Sequence, residues 1–347
     1  MFRTHSNKTV LSILMLILSL SLVLSACGGN NSGSSTNTPP ASQTTANSNA
    51  GNAGSEPAPG EAQTAETTRT VKHSMGEETL TGTPERVVVL TQEGTEAVLE
   101  LGIKPVGAVN SGLGDDWFPH IRSEMEGVTE LGDETEPNLE LILSLKPDLI
   151  LGNKVRHEEI YSQLKEIAPT VLSEDLAGNW KENFVLYAEA LNKKAEGEAA
   201  MAAYDAHVEQ AKAELGDKLS KQVSLVRFLP QAVRLYMKDT FAGVILADIG
   251  FARPASQDKD EFMEVIGKER MADMDGDIMF YFNADYDEEK GGTKMQEEWF
   301  SDPLFAGLNV AKTNMTFKVD EVIWNLSGGI KSANLLVDEV IEHGKKL

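Results

Sequence analysis

The chain has 347 residues, with 31 Lys and Arg against 54 Asp and Glu, giving a formal net charge of -23. A surface this acidic repels polyanions and no basic run offsets it, so nucleic acid is excluded as a partner. Hydrophobic residues make up 41%, enough for one large or two medium domains, and the single Cys excludes an internal disulfide and any Cys-based zinc or iron-sulfur site.

Arg3 and Lys8 precede an uncharged apolar run from Val10 to Leu24, which leads into Leu24-Ser25-Ala26-Cys27. A positive start, a short apolar stretch and small residues before a cleavage point describe a secretory signal over residues 1–26. The run, about 15 residues, is shorter than the ~20 that span a bilayer. From Gly28 to Thr68 the chain contains no Leu, Ile, Val, Met or aromatic residue. Such a segment cannot offset its ordering entropy, so residues 27–68 are expected to be a flexible tether reaching on the order of 35–40 Å.

Beyond it, strand-like and helix-like segments alternate, the pattern of an α/β protein. Arg86–Leu90 predicts a buried strand, Gly94–Leu101 a helix, Pro105–Val109 a strand, Pro137–Leu145 a helix and Pro147–Leu151 a strand. Val155–Ile167 predicts a helix and Thr170–Leu172 a strand, completing a first lobe over 69–179. Residues 180–219, Ala-, Glu-, Lys- and Leu-rich without Pro, predict one long helix, with a weak point at Lys194 to Gly197. Alternation then restarts over 220–347, with strands at Val223–Leu229, Val233–Met237, Ile278–Phe282 and Met315–Val319. Helices are expected at Thr240–Gly250, Asp260–Lys268 and Gly329–His343. Two α/β lobes joined by a long helix leave a cleft between them, where small ligands bind.

Several short motifs stand in a characteristic order: Leu24-Ser25-Ala26-Cys27, Arg86-Val87-Val88-Val89-Leu90, Glu136-Pro137-Asn138-Leu139-Glu140, Leu145-Lys146-Pro147-Asp148-Leu149-Ile150, Arg156-His157, Ile167-Ala168-Pro169-Thr170, Asp302-Pro303-Leu304-Phe305 and Ile323-Trp324-Asn325. In this order the chain resembles the substrate-binding lipoproteins of iron-siderophore ABC importers, of the class III fold with two lobes on a rigid backbone helix. The resemblance implies a monomer with no catalytic activity and no resident cofactor. It would be anchored by diacylated Cys27 on the extracytoplasmic face of a cell membrane, of Gram-positive type, and would deliver a ferric siderophore to a permease. Iron is then held by the siderophore's own oxygens, and no metal ligand is asked of the protein.

The protein must instead cup a polar, often anionic body with cations, Tyr hydroxyls and aromatic faces. Arg156 matches a family position that contacts ligand, the alternative being a surface ion pair with Glu158 or Glu159. Arg234, Tyr236 and Lys238 alternate along one strand and its exit, so one face carries two cations and a phenol. Trp117, Trp180, Trp324 and Tyr281 are candidates for stacking on ligand or, equally, for the core. Relatives that take polycarboxylate ligands carry Arg residues where this chain has Asp133-Glu134-Thr135-Glu136 and Asn325-Leu326-Ser327-Gly328-Gly329. The departure favours a hydroxamate or citrate-hydroxamate ligand. Glu140 and Glu269 match the exposed acids that dock such proteins onto Arg pockets of the permease. The chain has no Gly-x-Ser-x-Gly elbow, His-Glu-x-x-His pair or phosphate loop that would signal an enzyme. A haem or cobalamin carrier of the same fold is the competing reading, with Tyr236 or His157 as an axial ligand to haem.

Overall fold

The computed structural model describes residues 68–286 and 288–347, so the signal sequence, Cys27 and nearly all of the expected tether lie outside the described residues. An antiparallel hairpin of β1 (Thr68–His73) and β2 (Gly76–Thr81) precedes the first lobe. That lobe is built on a parallel five-stranded sheet in the order β5 (Thr129–Glu130), β4 (Gly107–Ala108), β3 (Val87–Val89), β8 (Leu149–Asn153), β9 (Thr170–Ser173). β3, β8 and β9 are buried on both faces, which is why they read as unbroken apolar runs rather than as alternation.

The helices of this lobe are bounded by chemistry visible in the sequence. α1 (Gln92–Glu100) starts at Thr91, whose hydroxyl accepts from Gly94 N at 3.0 Å. After a two-residue-strand ribbon of β6 (Gly132–Asp133) and β7 (Glu136–Pro137), α2 (Leu139–Leu145) is capped by Asn138 and ends on Lys146 at φ 47°, directly before Pro147. The helix expected over Val155–Ile167 is instead α3 (Lys154–His157), a 3₁₀ turn and α4 (Tyr161–Ile167).

The expected single helix from Trp180 is two helices. α5 (Trp180–Ala190) stops short of Asn192, which stands at φ 58°, and α6 (Lys194–Leu215) runs on for 22 residues. The break falls just ahead of the weak point expected at Lys194 to Gly197, because Asn tolerates the left-handed conformation that turns the chain. α5 packs on α1 and β9, whereas α6 packs on the closing helix and on the helix Phe241–Ile249 of the second lobe.

The second lobe holds a mixed sheet in the order β12 (Met263–Ile266), β11 (Ala232–Tyr236), β10 (Val223–Leu229), β13 (Ile278–Asn283), β14 (Thr316–Lys318). β10, β13 and β14 are parallel and β10, β11 and β12 antiparallel. The helix expected over Asp260–Lys268 is therefore wrong: its centre is edge strand β12, and Lys268 opens a 3₁₀ turn. Four residues, of which Val265 is exposed and Ile266 buried, suffice for an edge, and the acids Asp260, Glu261 and Glu264 imitated a helix surface. α7 (Phe241–Ile249) lies between Thr240, its cap, and Gly250 at φ 92°. α8 (Gly291–Phe300), α9 (Pro303–Ala306) and α10 (Asn309–Lys312) follow β13.

A single π turn, Val322–Leu326, leads into α11 (Ile330–Gly344). The N-terminus of α11 is fastened to α1: Glu96, fully buried, accepts from Ser332 N at 2.9 Å and Ser332 Oγ at 3.1 Å, and its other oxygen lies 2.6 Å from His120 Nε2. Gly329 is required at this crossing, since a Cβ there would meet Glu96 Oε2 at 2.6 Å. One apolar core runs through both lobes and the helices between them, with a smaller cluster in each lobe.

Candidate ligand cleft

A cavity of about 370 Å³ lies where the two lobes meet, within the range of small-ligand sites. The first lobe supplies loops at the carboxyl ends of its strands, as expected for a parallel sheet: Gln92 and Glu93 after β3, Val155 and Arg156 after β8, Leu176 and Ala177 after β9. Glu134, from the turn between β6 and β7, joins them. The second lobe supplies Arg227, Arg234 and Tyr236 from a strand face, Phe262 from the loop before β12, and Asn325 to Gly328 from the π turn and its exit.

The first wall is a locked polar network. Glu134 accepts from Gln92 N at 3.1 Å with one oxygen and from Arg156 Nε at 3.2 Å with the other. His157 holds the loops together: its Nδ1 accepts from Asn153 N at 3.1 Å, which leaves Nε2 protonated to donate to Glu134 O at 2.9 Å. Burial holds the imidazole below its ordinary pKa, so it stays neutral. Arg156 thus lines the cleft, and its ion-pair partner is Glu134, not Glu158 or Glu159.

The second wall is cationic. In the antiparallel register Arg227 on β10 stands opposite Arg234 on β11, and Tyr236, two residues on, shares their face. Arg227 is 9% exposed; it donates to Tyr236 Oη at 3.0 Å and to Tyr286 Oη, and pairs with Glu321 at 2.6 Å. Burial pushes the Glu321 carboxyl up and Arg227 pulls it back. Arg234, half-buried, has no salt bridge among the described residues, and its buried Nε has no hydrogen-bond partner. Arg156 faces Glu134, Arg227 faces Glu321, and Arg234 is left as one uncompensated charge.

Five of the eight expected contacts lie elsewhere. Trp180 is 0% exposed and packs edge-on against Tyr204 and Phe241. Trp324, also 0% exposed, packs on Phe280 and donates Nε1 to Glu339 at 2.7 Å. Both belong to the core: the Trp324 N–H is satisfied there by Glu339, whereas the buried Trp180 Nε1 has no hydrogen-bond partner among the described residues, so packing alone holds that ring. Tyr281 meets Phe228 and Phe300 on the far face of the second sheet. Trp117 packs against the main core outside the cavity lining. Lys238, beyond the end of β11, turns away to Asp258 and Asp260 at 3.2 and 2.9 Å. Arg227 was missed, although an Arg between Val226 and Phe228 in an apolar strand is the signal that could have found it. Glu140 on α2 and Glu269 in the 3₁₀ turn after β12 are both exposed, one on each lobe. Among the described residues no group of three or more His, Cys, Asp or Glu side chains is placed to hold a metal ion.

The model of a family described as periplasmic binding protein matches residues 87–322. The chain is 45% identical to the probable siderophore-binding lipoprotein YfiY of Bacillus subtilis over 96% of this chain and 97% of that protein. It is 30% identical to the Fe(3+)-citrate-binding protein YfmC of the same organism, over 98% of each. Its fold matches Staphylococcus aureus SirA complexed with staphyloferrin B at a TM-score of 0.75 and 35% identity, over 80% of this chain and 98% of SirA. The chain belongs to the periplasmic binding protein family and has its class III architecture.

Proposed function

We propose that this member of the periplasmic binding protein family captures a ferric siderophore in the cleft and delivers it to an ABC importer. The observation that carries the reading is Arg234, a cation facing the cavity with no counter-ion among the described residues, in a chain whose net charge is -23. Desolvating an unpaired guanidinium is costly, and an anionic ligand that neutralises it recovers that cost. The similarity to YfiY and YfmC supports iron-loaded ligands of this kind.

The charge count narrows the class. A ferric complex of two hydroxamates and one α-hydroxycarboxylate carries roughly one net negative charge, which matches one uncompensated Arg. A neutral trihydroxamate leaves Arg234 unpaired, and a tris-catecholate brings about three charges to a wall that can neutralise one. Val155, Leu176, Phe262 and Leu326 give the rim apolar surface for the ligand's linkers. The reading involves no catalysis. Cys27 would carry the lipid anchor on the extracytoplasmic face of a Gram-positive-type membrane, and Glu140 and Glu269 would meet the permease. Haem ligation by His157 would break at least one of the two ring hydrogen bonds that hold the loops together.

Isothermal titration with ferric hydroxamate, citrate-hydroxamate, catecholate and polycarboxylate siderophores, haemin and cobalamin tests the reading. Submicromolar binding of a ferric citrate-hydroxamate is expected. Binding of haemin or cobalamin alone would overturn it.

A further inference from the structure

Glu93 lies in the first turn of α1, is 4% exposed and lines the cavity. Neither of its carboxyl oxygens has a well-formed hydrogen bond among the described residues; the nearby Asn183 amide donates to Asp175 O instead. A buried polar group left unsatisfied costs stability, and such a group at the floor of a binding cleft is completed when a ligand arrives.

The groups that face Glu93 are otherwise engaged. On its own helix Glu96 is taken by Ser332 and His120. From the turn between β6 and β7, Glu134 is taken by Gln92 and Arg156. Asp175 comes from the loop after β9, and Asn183 on α5 donates to its carbonyl at 2.8 Å. Also on α5, the Tyr187 hydroxyl meets Ser173 Oγ at 2.9 Å. Across the cleft Arg227 is committed to Glu321, and Arg234 has no ion-pair partner among the described residues. Burial, and then the carboxylates of Glu134, Asp175 and Glu96, push the Glu93 carboxyl well above the ordinary range, with the Asn183 amide opposing them. In its protonated form it is a donor that adds no negative charge beside Arg234.

We propose that Glu93 is a specificity-determining residue of the cleft, giving its carboxyl O–H to an anionic oxygen of the bound ligand and so coupling capture to one proton. The proposal rests on the reading of the cleft as a siderophore site. The proton stays on Glu93 and no covalent bond changes. Above the pH at which the free protein loses that proton, binding must take one up, so affinity falls by up to about tenfold per pH unit.

Two measurements test it. Infrared difference spectra between the ligand-free protein and Glu93→Gln at neutral pH should show the carbonyl band of a protonated carboxyl in the former only; its absence would overturn the proposal. Calorimetric titrations with ferric staphyloferrin B and with a ferric citrate-hydroxamate are then run between about pH 6 and 9. The unsubstituted protein should weaken as pH rises. Glu93→Gln, which keeps a donor, should bind with a flat profile, and Glu93→Leu, shown to be folded by circular dichroism, should bind about tenfold more weakly at the acid end. Full affinity in Glu93→Leu, or a Glu93→Gln profile parallel to that of the unsubstituted protein, would overturn the role of Glu93 alone. If the unsubstituted protein binds neither probe, the siderophore reading fails, and the role of Glu93 fails with it.

Discussion

The two walls of the cleft are built on opposite plans. The first lobe offers loops at strand ends in which nearly every charge is answered locally: Arg156 by Glu134, the α1 N-terminus by Glu134, and His157 by two backbone groups. The second lobe offers a strand face on which Arg227 and Arg234 stand opposite each other, with one carboxylate, Glu321, paired to Arg227. One wall is held in shape before a ligand arrives, and the other keeps a charge in reserve for it. Such preorganisation lowers the entropic cost of binding, while the free cation supplies the attraction.

The comparison can be broken at either wall. Arg227→Ala should have the largest effect: it strands Glu321 and removes the support of Tyr236, costing about 3–5 kcal/mol of stability, read as a lowered Tm together with a severe loss of ligand affinity. Unchanged stability would show that the pair does not hold the second wall. Glu140→Ala combined with Glu269→Ala should leave affinity intact while cellular uptake of the loaded siderophore drops severalfold; normal uptake would remove both acids from the docking surface. Arg156→Ala should weaken binding by about three- to tenfold without loss of fold, because its ion pair is partly exposed and screened. Equal affinity in the folded variant would confine Arg156 to shaping the loop.

The smallest effect concerns pH. The Glu93 carboxyl titrates above the ordinary range in the folded protein, so above about pH 4.3, the unfolded value, the unfolded chain releases a proton that the native state still holds. The native state is then progressively penalised as pH rises toward the folded pKa. Glu93→Gln should therefore raise Tm by about 2 °C or more at pH 8, with the gap closing near pH 4. A gap that is constant with pH would contradict the assignment.

Much of the scaffold was legible because its signals are local. Thr91, Asn138 and Thr240 cap helices close to the starts expected at Gly94, Pro137 and Thr240, and Pro147 follows the end of α2. β3, β8, β10 and β13 are apolar runs that leave little choice. β12 was read as a helix because four residues on an edge carry too little periodicity. The split at Asn192 turns on one left-handed residue.

The cleft was only partly legible. Alternation along β11 placed Arg234 and Tyr236 on one face, but nothing local says that Lys238 leaves that face for Asp258 and Asp260. Pairing Arg227 with Arg234 requires the register between two strands, and recognising Glu93 requires knowing that α1 meets α5 and the turn carrying Glu134. Trp180 and Trp324 showed that an aromatic residue near a loop in sequence is no guide to its depth. No cation stands at 133–136 or 325–329, and the cleft takes its cations from elsewhere on both lobes: Arg156 from the first, Arg227 and Arg234 from the second.

The account turns on Arg234, and none of the four Trp residues lines the cavity, so calorimetry is preferable to intrinsic fluorescence. The most direct measurement is a titration of the protein and of Arg234→Ala with the same ferric citrate-hydroxamate. The account predicts submicromolar affinity for the unsubstituted protein, a loss of about 10- to 100-fold in the variant and a Tm that is not lowered. Equal affinity in the two proteins would contradict it.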